Sequence, residues 1–373
     1  MNHVIGFINL YDSPDLGPLS QNRAPATTSF LGRYALIDFA LSNFTNSGLD
    51  QFSILVKENF RSVNKHINSL KAWVTNTKIG NQNVLICEKG IKDSKQNTDL
   101  NCIKENEWVL DESHVDYAII QPGHIITTID FNPVLDAHIK SGADVTLMYA
   151  NIENAQQTFR GEAVPIFKEG TNEIISLDWN NGTARKNNIS IQTYIVNMSL
   201  LRKMLTMRGD KKADSLLEAL QSLLLNKKIK VNGYRYEGFL RTFESFNSYV
   251  KYSFEILEYP YAHALFDTDW NTYTITHNSL PTRYGPEASV KNCFIANGSI
   301  IEGTVENSII SRHVHIAKGA VVKNSIIFTG TKINECAIIE NALIDKHVVI
   351  GENAKVKGHK SSLEYIRKGK VVK

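Results

Sequence analysis

Val4-Ile5-Gly6-Phe7-Ile8, then Asn9-Leu10-Tyr11-Asp12-Ser13-Pro14-Asp15 and Leu16-Gly17-Pro18-Leu19-Ser20-Gln21-Asn22-Arg23-Ala24, is the stretch that decides how the chain is read. Its first five residues are apolar and mostly β-branched, which predicts a buried strand. A polar loop follows. Phe30-Leu31-Gly32-Arg33-Tyr34 then enters a segment in which Leu36, Ile37, Ala40, Leu41 and Phe44 recur at helical spacing, with Gly48 as a C-cap. Working outward, strands are expected at 51–56, 83–87, 117–120, 144–149 and 192–196. Helices are expected at 60–70, 134–141, 199–205 and 215–226. Residues 88–106 are polar and lysine-rich and read as a surface excursion. Such alternation predicts an α/β, doubly wound, mostly parallel, Rossmann-like sheet, with ligands bound beyond the carboxyl ends of its strands.

Tyr259-Pro260 reads as the end of the last helical stretch, and 263–289 as a linker rich in Asp, Asn, Thr and Pro. From residue 290 the period changes. Ile295, Ile301, Ile310, Ile316, Val322, Ile327, Ile333, Ile339, Ile344, Ile350 and Val356 recur mostly every six residues, with turn-forming residues between them. Glu306-Asn307-Ser308, Lys323-Asn324-Ser325 and Glu340-Asn341-Ala342 echo one another. A sustained hexad predicts a left-handed parallel β-helix of about three coils. The expected organisation is therefore a first domain over 1–262, a linker over 263–289 and a β-helix over 290–373.

Composition narrows the function classes. A hydrophobic fraction of 42% with 21% charged residues is that of an ordinary packed protein, and a net charge of +3 argues for neither nucleic acid nor a membrane surface. Cys87, Cys102, Cys293 and Cys336 form no C-x-x-C pair, so neither zinc nor a redox motif is indicated. No apolar run approaches the ~20 residues of a membrane span, and no signal peptide is read at the N-terminus. A cytoplasmic location is expected.

The opening stretch resembles the start of the bacterial glucose-1-phosphate adenylyltransferase family, whose members make ADP-glucose for glycogen. Tyr34, Asp38, Phe39, Ser42, Asn43, Asn46, Ser47 and Gly48 match the family's scaffold, as do Leu16-Gly17-Pro18-Leu19-Ser20 and the later Trp270-Asn271-Thr272-Tyr273-Thr274 with Leu280-Pro281. The order of domains matches over essentially the whole chain. The chemistry does not. In G-G-x-G-x-R-L-x-P-L-T, Leu10, Tyr11 and Ser13 replace glycines and Asp15 replaces the arginine. Glycines let backbone N–H groups approach phosphates closely; Leu10 and Tyr11 block that approach and Pro14 removes a donor. Losing one preorganised donor to a developing anion costs roughly 100- to 1000-fold in rate. Pro25 stands at the phosphate-contacting lysine of A-K-P-A-V-P. Pro122-Gly123-His124 stands at the G-D-H whose aspartate holds magnesium, leaving only His124. The E-K-P and S-M-G segments fall near Trp179-Asn180-Asn181 and Ser190-Ile191-Gln192, neither intact.

Three functions follow as alternatives. The resemblance implies a non-catalytic, regulatory subunit that modulates ADP-glucose synthesis as the D-type partner of a catalytic subunit in a heterotetramer. On this reading there are no catalytic or metal-binding residues of its own, and ATP and Mg²⁺ are used by the partner. An active sugar-1-phosphate nucleotidyltransferase with altered residues is the second. A hexapeptide acyltransferase working through His313, His315 or His347 is the third. Because family members are controlled by phosphorylated metabolites bound between their domains, Arg23, Arg33, Lys57, Arg61 and His124, with Lys65 and His66 near them, are candidate effector or ligand residues; a solvated basic face is the other reading of the same cations.

Overall fold

The computed structural model describes residues 3–68, 70–74, 81–207, 215–266 and 269–373. The first domain is built on a nine-stranded sheet: β1 (Val4–Asn9), β2 (Phe52–Val56), β3 (Gln82–Ile86), β4 (Tyr117–Pro122), β5 (Val145–Ile152), β6 (Ala163–Phe167), β7 (Glu173–Trp179), β8 (Asn187–Asn197) and β9 (Val231–Arg235). Their spatial order is β3-β2-β1-β4-β8-β5-β9-β7-β6. The half carrying the opening stretch is parallel, with β1 between β2 and β4. Elsewhere β8 runs antiparallel to β4 and β5, and β7 runs antiparallel to β9 and β6. The sheet is thus mixed rather than mostly parallel, because long β8 inserts between two parallel groups. Along β1, Val4 and Ile8 enter one core and Ile5 and Phe7 the other, as a strand buried on both faces must. Gly6 has no room for a side chain, since a Cβ there would lie 2.6 Å from the ring of Phe44 on α1 (Leu36–Asn46).

Three expectations about local structure change. The helix expected at 60–70 is α2 (Phe60–Ile67), stopped at Asn68, whose φ is +48°; position 69 lies outside the described residues. The segment 88–106 is not a mere excursion. It folds into α3 (Glu88–Lys92) and α4 (Asp99–Glu105), and Leu100, Cys102 and Ile103 join the core. Tyr259-Pro260 begins a helix, Tyr259–Phe266, instead of ending one. Proline is tolerated in a first turn because its missing N–H has no partner there anyway.

The second domain is a parallel β-helix. Val305 pairs with Val322 and Ile339 with Val356, so its central coils close one residue short of three full hexads. The first coil is shorter still, with Ile300 beside His315, and the last is longer, with Leu343 beside Tyr365. Corners are made by residues in the left-handed region, including the column Asn292, Asn307, Asn324 and Asn341. Asparagine tolerates that conformation. Here the Asn292 amide donates to Asn307 at 3.0 Å, and the Asn307 amide to Asn324 at 2.8 Å. Glu306 pairs with Lys323 at 3.1 Å and Glu340 with Lys357 at 3.0 Å along one face.

The domains share a core. Leu16, Leu19, Phe30 and Phe39 pack in one cluster with Ile309, Ile326, Phe328 and Leu343 of the β-helix. Gly32, at φ +73°, is pressed so closely against the second domain that a Cβ would lie 2.5 Å from the Ile310 carbonyl oxygen.

Candidate functional site

The site expected at the carboxyl ends of β1 and β4 exists as a small cavity of about 350 Å³. Among the described residues its lining holds Asp12, Asp99 and Glu162 and no lysine or arginine; residues 208–214, just before the lining residue Ser215, lie outside the described residues. Asp99, brought in by α4, is buried; it accepts from the Asn9 amide at 2.9 Å and from the Leu216 and Leu100 N–H groups at 3.0 and 2.7 Å. Burial, aided by the charge of Asp12, pushes its pKa up to about 6 despite those donors. Burial likewise pushes Glu162 up to about 6, against the opposing hydrogen bond from the Gln192 amide at 2.7 Å. Sequence reading missed both acids because each lies far from the loop it joins. Among the described residues the charged groups of the cavity lining are all acids.

The space beside Gly123 is closed. Gly123 and Leu10 are packed together: a Cβ at Gly123 would lie 2.5 Å from Leu10 Cδ2 and 3.0 Å from Ala26 Cβ. The leucine in the loop thus fills the volume an aspartate side chain would need. His124 is buried, its Nδ1 has no hydrogen-bonding partner, and burial pulls its pKa down to about 3. It is a neutral core imidazole and offers no charge to a phosphate. Asp15 accepts from the Gly17 N–H at 2.8 Å, a turn-forming role at the surface. Among the described residues no group of three or more His, Cys, Asp or Glu could hold a metal ion.

The candidate effector residues do not converge. Lys57 and Arg61 are exposed. Lys57 reaches the Tyr11 carbonyl oxygen at 3.5 Å. Arg23 is buried at the seam between the domains, ion-paired with Asp345 and set over the Phe328 ring at 5.6 Å. Tyr365 donates its hydroxyl to the same Asp345 oxygen at 2.7 Å. Burial alone would raise the Asp345 carboxyl, but the hydrogen bond and charge of Arg23 outweigh it and hold the pKa low. Beside this pair stands Lys346, whose pKa burial and the Arg23 charge push down to about 8. Arg33 lies elsewhere on the seam, in a cavity of about 860 Å³ with Arg312, His263, His277, Tyr34 and Phe294. Burial and the charge of Arg33 depress Arg312, and burial and Arg312 depress His277. Arg312, Asp345 and Lys346 were not singled out from the sequence, since their partners lie in remote parts of the chain.

The residues that match the family scaffold have visible structural duties. On α1, Asp38 accepts from Ala35 N–H at 2.9 Å and from the Thr274 hydroxyl at 2.7 Å, and contacts His66 Nε2 at 2.6 Å. Ser42 Oγ accepts from Tyr273 N–H at 2.9 Å, Asn43 Oδ1 from the Trp270 indole at 3.0 Å, and Asn46 donates to the Asn271 carbonyl at 2.8 Å. This helix face is a latch for the linker. The three histidines weighed for acyl transfer are also engaged: His313 contacts Ser279 Oγ at 3.0 Å, His315 contacts Glu302 at 3.0 Å, and His347 packs over Gly330. Among the described residues no helix is long and apolar enough to cross a membrane.

Known proteins resemble both parts of the chain. The nucleotidyl transferase family model matches residues 15–233, and the GlmU-like C-terminal hexapeptide model matches 280–364. Glycogen biosynthesis protein GlgD of Bacillus subtilis (strain 168) is 28% identical over 359 residues, 95% of this chain and 93% of that protein. Glucose-1-phosphate adenylyltransferase of Geobacillus stearothermophilus is 28% identical over 316 residues, covering 83% and 80%. That of Clostridium perfringens (strain 13 / Type A) is 27% identical over 326 residues, covering 85% and 81%.

Proposed function

Because the chain belongs to the nucleotidyl transferase family, we propose that it serves as a non-catalytic, regulatory subunit beside a catalytic glucose-1-phosphate adenylyltransferase in glycogen synthesis. The observation that carries this reading is the cavity after β1, whose described lining holds acids and no lysine or arginine, with Leu10 filling the volume next to Gly123. Groups that act as one catalytic unit leave little activity once several are removed. ATP, Mg²⁺ and glucose-1-phosphate would then be handled by the partner, in a mixed tetramer with two copies of each chain. A subunit of this kind raises its neighbour's activity by contacting its less and more active states differently. Coupling of that sort is typically about 1–3 kcal/mol.

The cationic seam is the proposed input. Arg33 with Arg312 in one cavity, and Arg23 with Lys346 away from it, offer a phosphorylated metabolite positive charge at the boundary between the domains. The test is an assay of ADP-glucose synthesis by this chain alone, by the catalytic subunit alone, and by the two co-expressed. The expected result is no turnover alone and raised activity in the mixture, with light scattering showing a mixed tetramer. A turnover number for the isolated chain within tenfold of the catalytic subunit's would overturn the proposal, as would a mixture no more active than its catalytic component.

A further inference from the structure

Beyond the carboxyl ends of the parallel strands β5 and β9 lies a third cavity, of about 700 Å³. It shares no lining residue with the cavity after β1 or with the one at the seam. Open α/β sheets bind ligands at this end of their strands. The wall is built from the end of β5, the turn after β9, strand Leu240–Thr242 and the helices Phe246–Glu255 and Tyr259–Phe266.

At its centre the Arg241 guanidinium lies over the rings of Phe239, Tyr261 and Tyr252, at 5.0, 5.3 and 5.6 Å from their centroids. Glu255 fixes it, accepting from Nε at 3.2 Å and from Nη2 at 2.6 Å, and Nη1 donates to the Leu240 carbonyl at 2.7 Å. A guanidinium has five N–H groups, so two remain without a partner among the described residues. The other charges of the wall are largely balanced. Arg235 pairs with Glu237 at 3.2 Å, and Glu153 pairs with Lys186. Lys251, exposed over the Tyr252 ring at 5.4 Å, has no ion pair among the described residues. Phe159, also in the wall, has a φ of +55°, rare for so bulky a residue, and Glu244 accepts its backbone N–H. Backbone strain of this kind persists only where the surroundings hold it, and it clusters at ligand sites.

Such a wall selects by chemistry. A phosphorylated ligand would meet cations that are already paired, apart from Lys251. An apolar ligand would cover the free N–H groups of Arg241 without satisfying them, which is costly. A neutral sugar fits both demands. Its hydroxyls donate and accept, so they suit guanidinium N–H groups and carboxylate lone pairs alike, while its C–H faces pack on the rings. The volume lies within the ~300–1,000 Å³ usual for small-molecule sites.

We infer that this cleft binds a short neutral α-glucan, the kind of chain that ADP-glucose extends. The sugar class comes from the cleft itself; the choice of a glucan rests on the glycogen reading above.

The experiment titrates the full chain with maltotriose by calorimetry and maps the contact by hydrogen exchange. Saturable binding is expected, with exchange slowed in peptides covering 235–241 and 251–261 and unchanged at the seam. Tyr261→Ala, at a half-buried position, should weaken binding about tenfold, the scale of one lost ring contact. Should that variant fail to fold, the exchange map of the natural chain decides. Glucose-1-phosphate should bind the cleft more weakly than maltotriose. Absence of saturable maltotriose binding, protection outside the cleft, undiminished binding by folded Tyr261→Ala, or a preference for glucose-1-phosphate would each overturn the inference. A chain that binds maltotriose in the cleft yet fails to activate a catalytic subunit would uphold the cleft and break the regulatory reading alone.

Discussion

The loop after β1 and the outer face of α1 are close in sequence and have had opposite histories relative to the family they resemble. In the loop, the glycines, arginine and lysine that serve a nucleotide are replaced by Leu10, Tyr11, Ser13, Asp15 and Pro25. On the helix, Asp38, Ser42, Asn43 and Asn46 match, and each holds the linker by a hydrogen bond. The difference teaches that the two sets answer to different demands. On the regulatory reading proposed above, residues whose partners belonged to a ligand have lost their purpose. Residues whose partners belong to the same chain keep theirs, since a buried polar group left unpaired costs about 1–3 kcal/mol whether or not the protein catalyses anything.

This contrast can be broken most forcefully from the structural side. Asp38→Ala removes a fully buried carboxylate held by Ala35, Thr274 and His66, and Arg23→Ala strands Asp345 at the seam. Each should cost about 3–5 kcal/mol in unfolding free energy, read from denaturant midpoints. Changes within ~0.5 kcal/mol, the usual scale of a surface substitution, would refute the latch and seam as described. Next in size is the attempt to rebuild the metal position. Gly123→Asp forces a side chain against Leu10 and should destabilise by about 1–3 kcal/mol without creating ADP-glucose synthesis. Leu10→Gly placed with it should recover part of that loss, a coupling of ~0.5–3 kcal/mol in a double-mutant cycle. Strict additivity would show that the two positions are not packed as a pair.

A third prediction concerns pH. Asp99 and Glu162 at about 6, and Glu244 at about 7, are all raised chiefly by burial. Each holds its proton more tightly folded than unfolded. Their contribution to stability is therefore full below the ordinary carboxyl pKa near ~4 and is lost as pH rises through about 6 to 7. Asp345, held low, works in the opposite sense and loses its contribution only as pH falls through its depressed pKa. Glu162→Gln should flatten the decline in the urea midpoint between pH 5 and 7.5; an unchanged slope would remove Glu162 from the account. The smallest effect is expected at the exposed Arg61, where Arg61→Ala should move stability by less than about 0.5 kcal/mol.

Much of the architecture was legible because it rests on periods. Val4–Ile8 announces a strand buried on both faces, and the recurring isoleucines announce the β-helix even though its central coils fall one residue short of three hexads. The departures from the resembled pattern at Leu10, Asp15 and Gly123 were legible too, being single-residue identities. What surrounds them was not. Asp99 sits in a segment that reads as solvated, and only folding carries its carboxylate beneath the loop. Arg23 reads as a free cation because nothing in the local sequence reports Asp345, 322 positions away. His124 reads as a polar loop residue, whereas the strands around it seal it in. Local pattern reveals which face a residue presents; long-range contact decides what it meets there.

The unequal coils have a practical meaning for anyone altering this protein. Between Thr304 and Val356 each strand is aligned on its counterpart one coil earlier, so a single inserted residue would turn every later side chain inside out. The last coil absorbs extra length, and it does so in the small turn where His359 and Ser362 bridge. That turn is exposed at His359, Lys360 and Ser361. It is the natural doorway for a fluorophore, an affinity tag or a spin label, close in sequence to the seam residue Tyr365 yet outside the stack that gives the domain its shape.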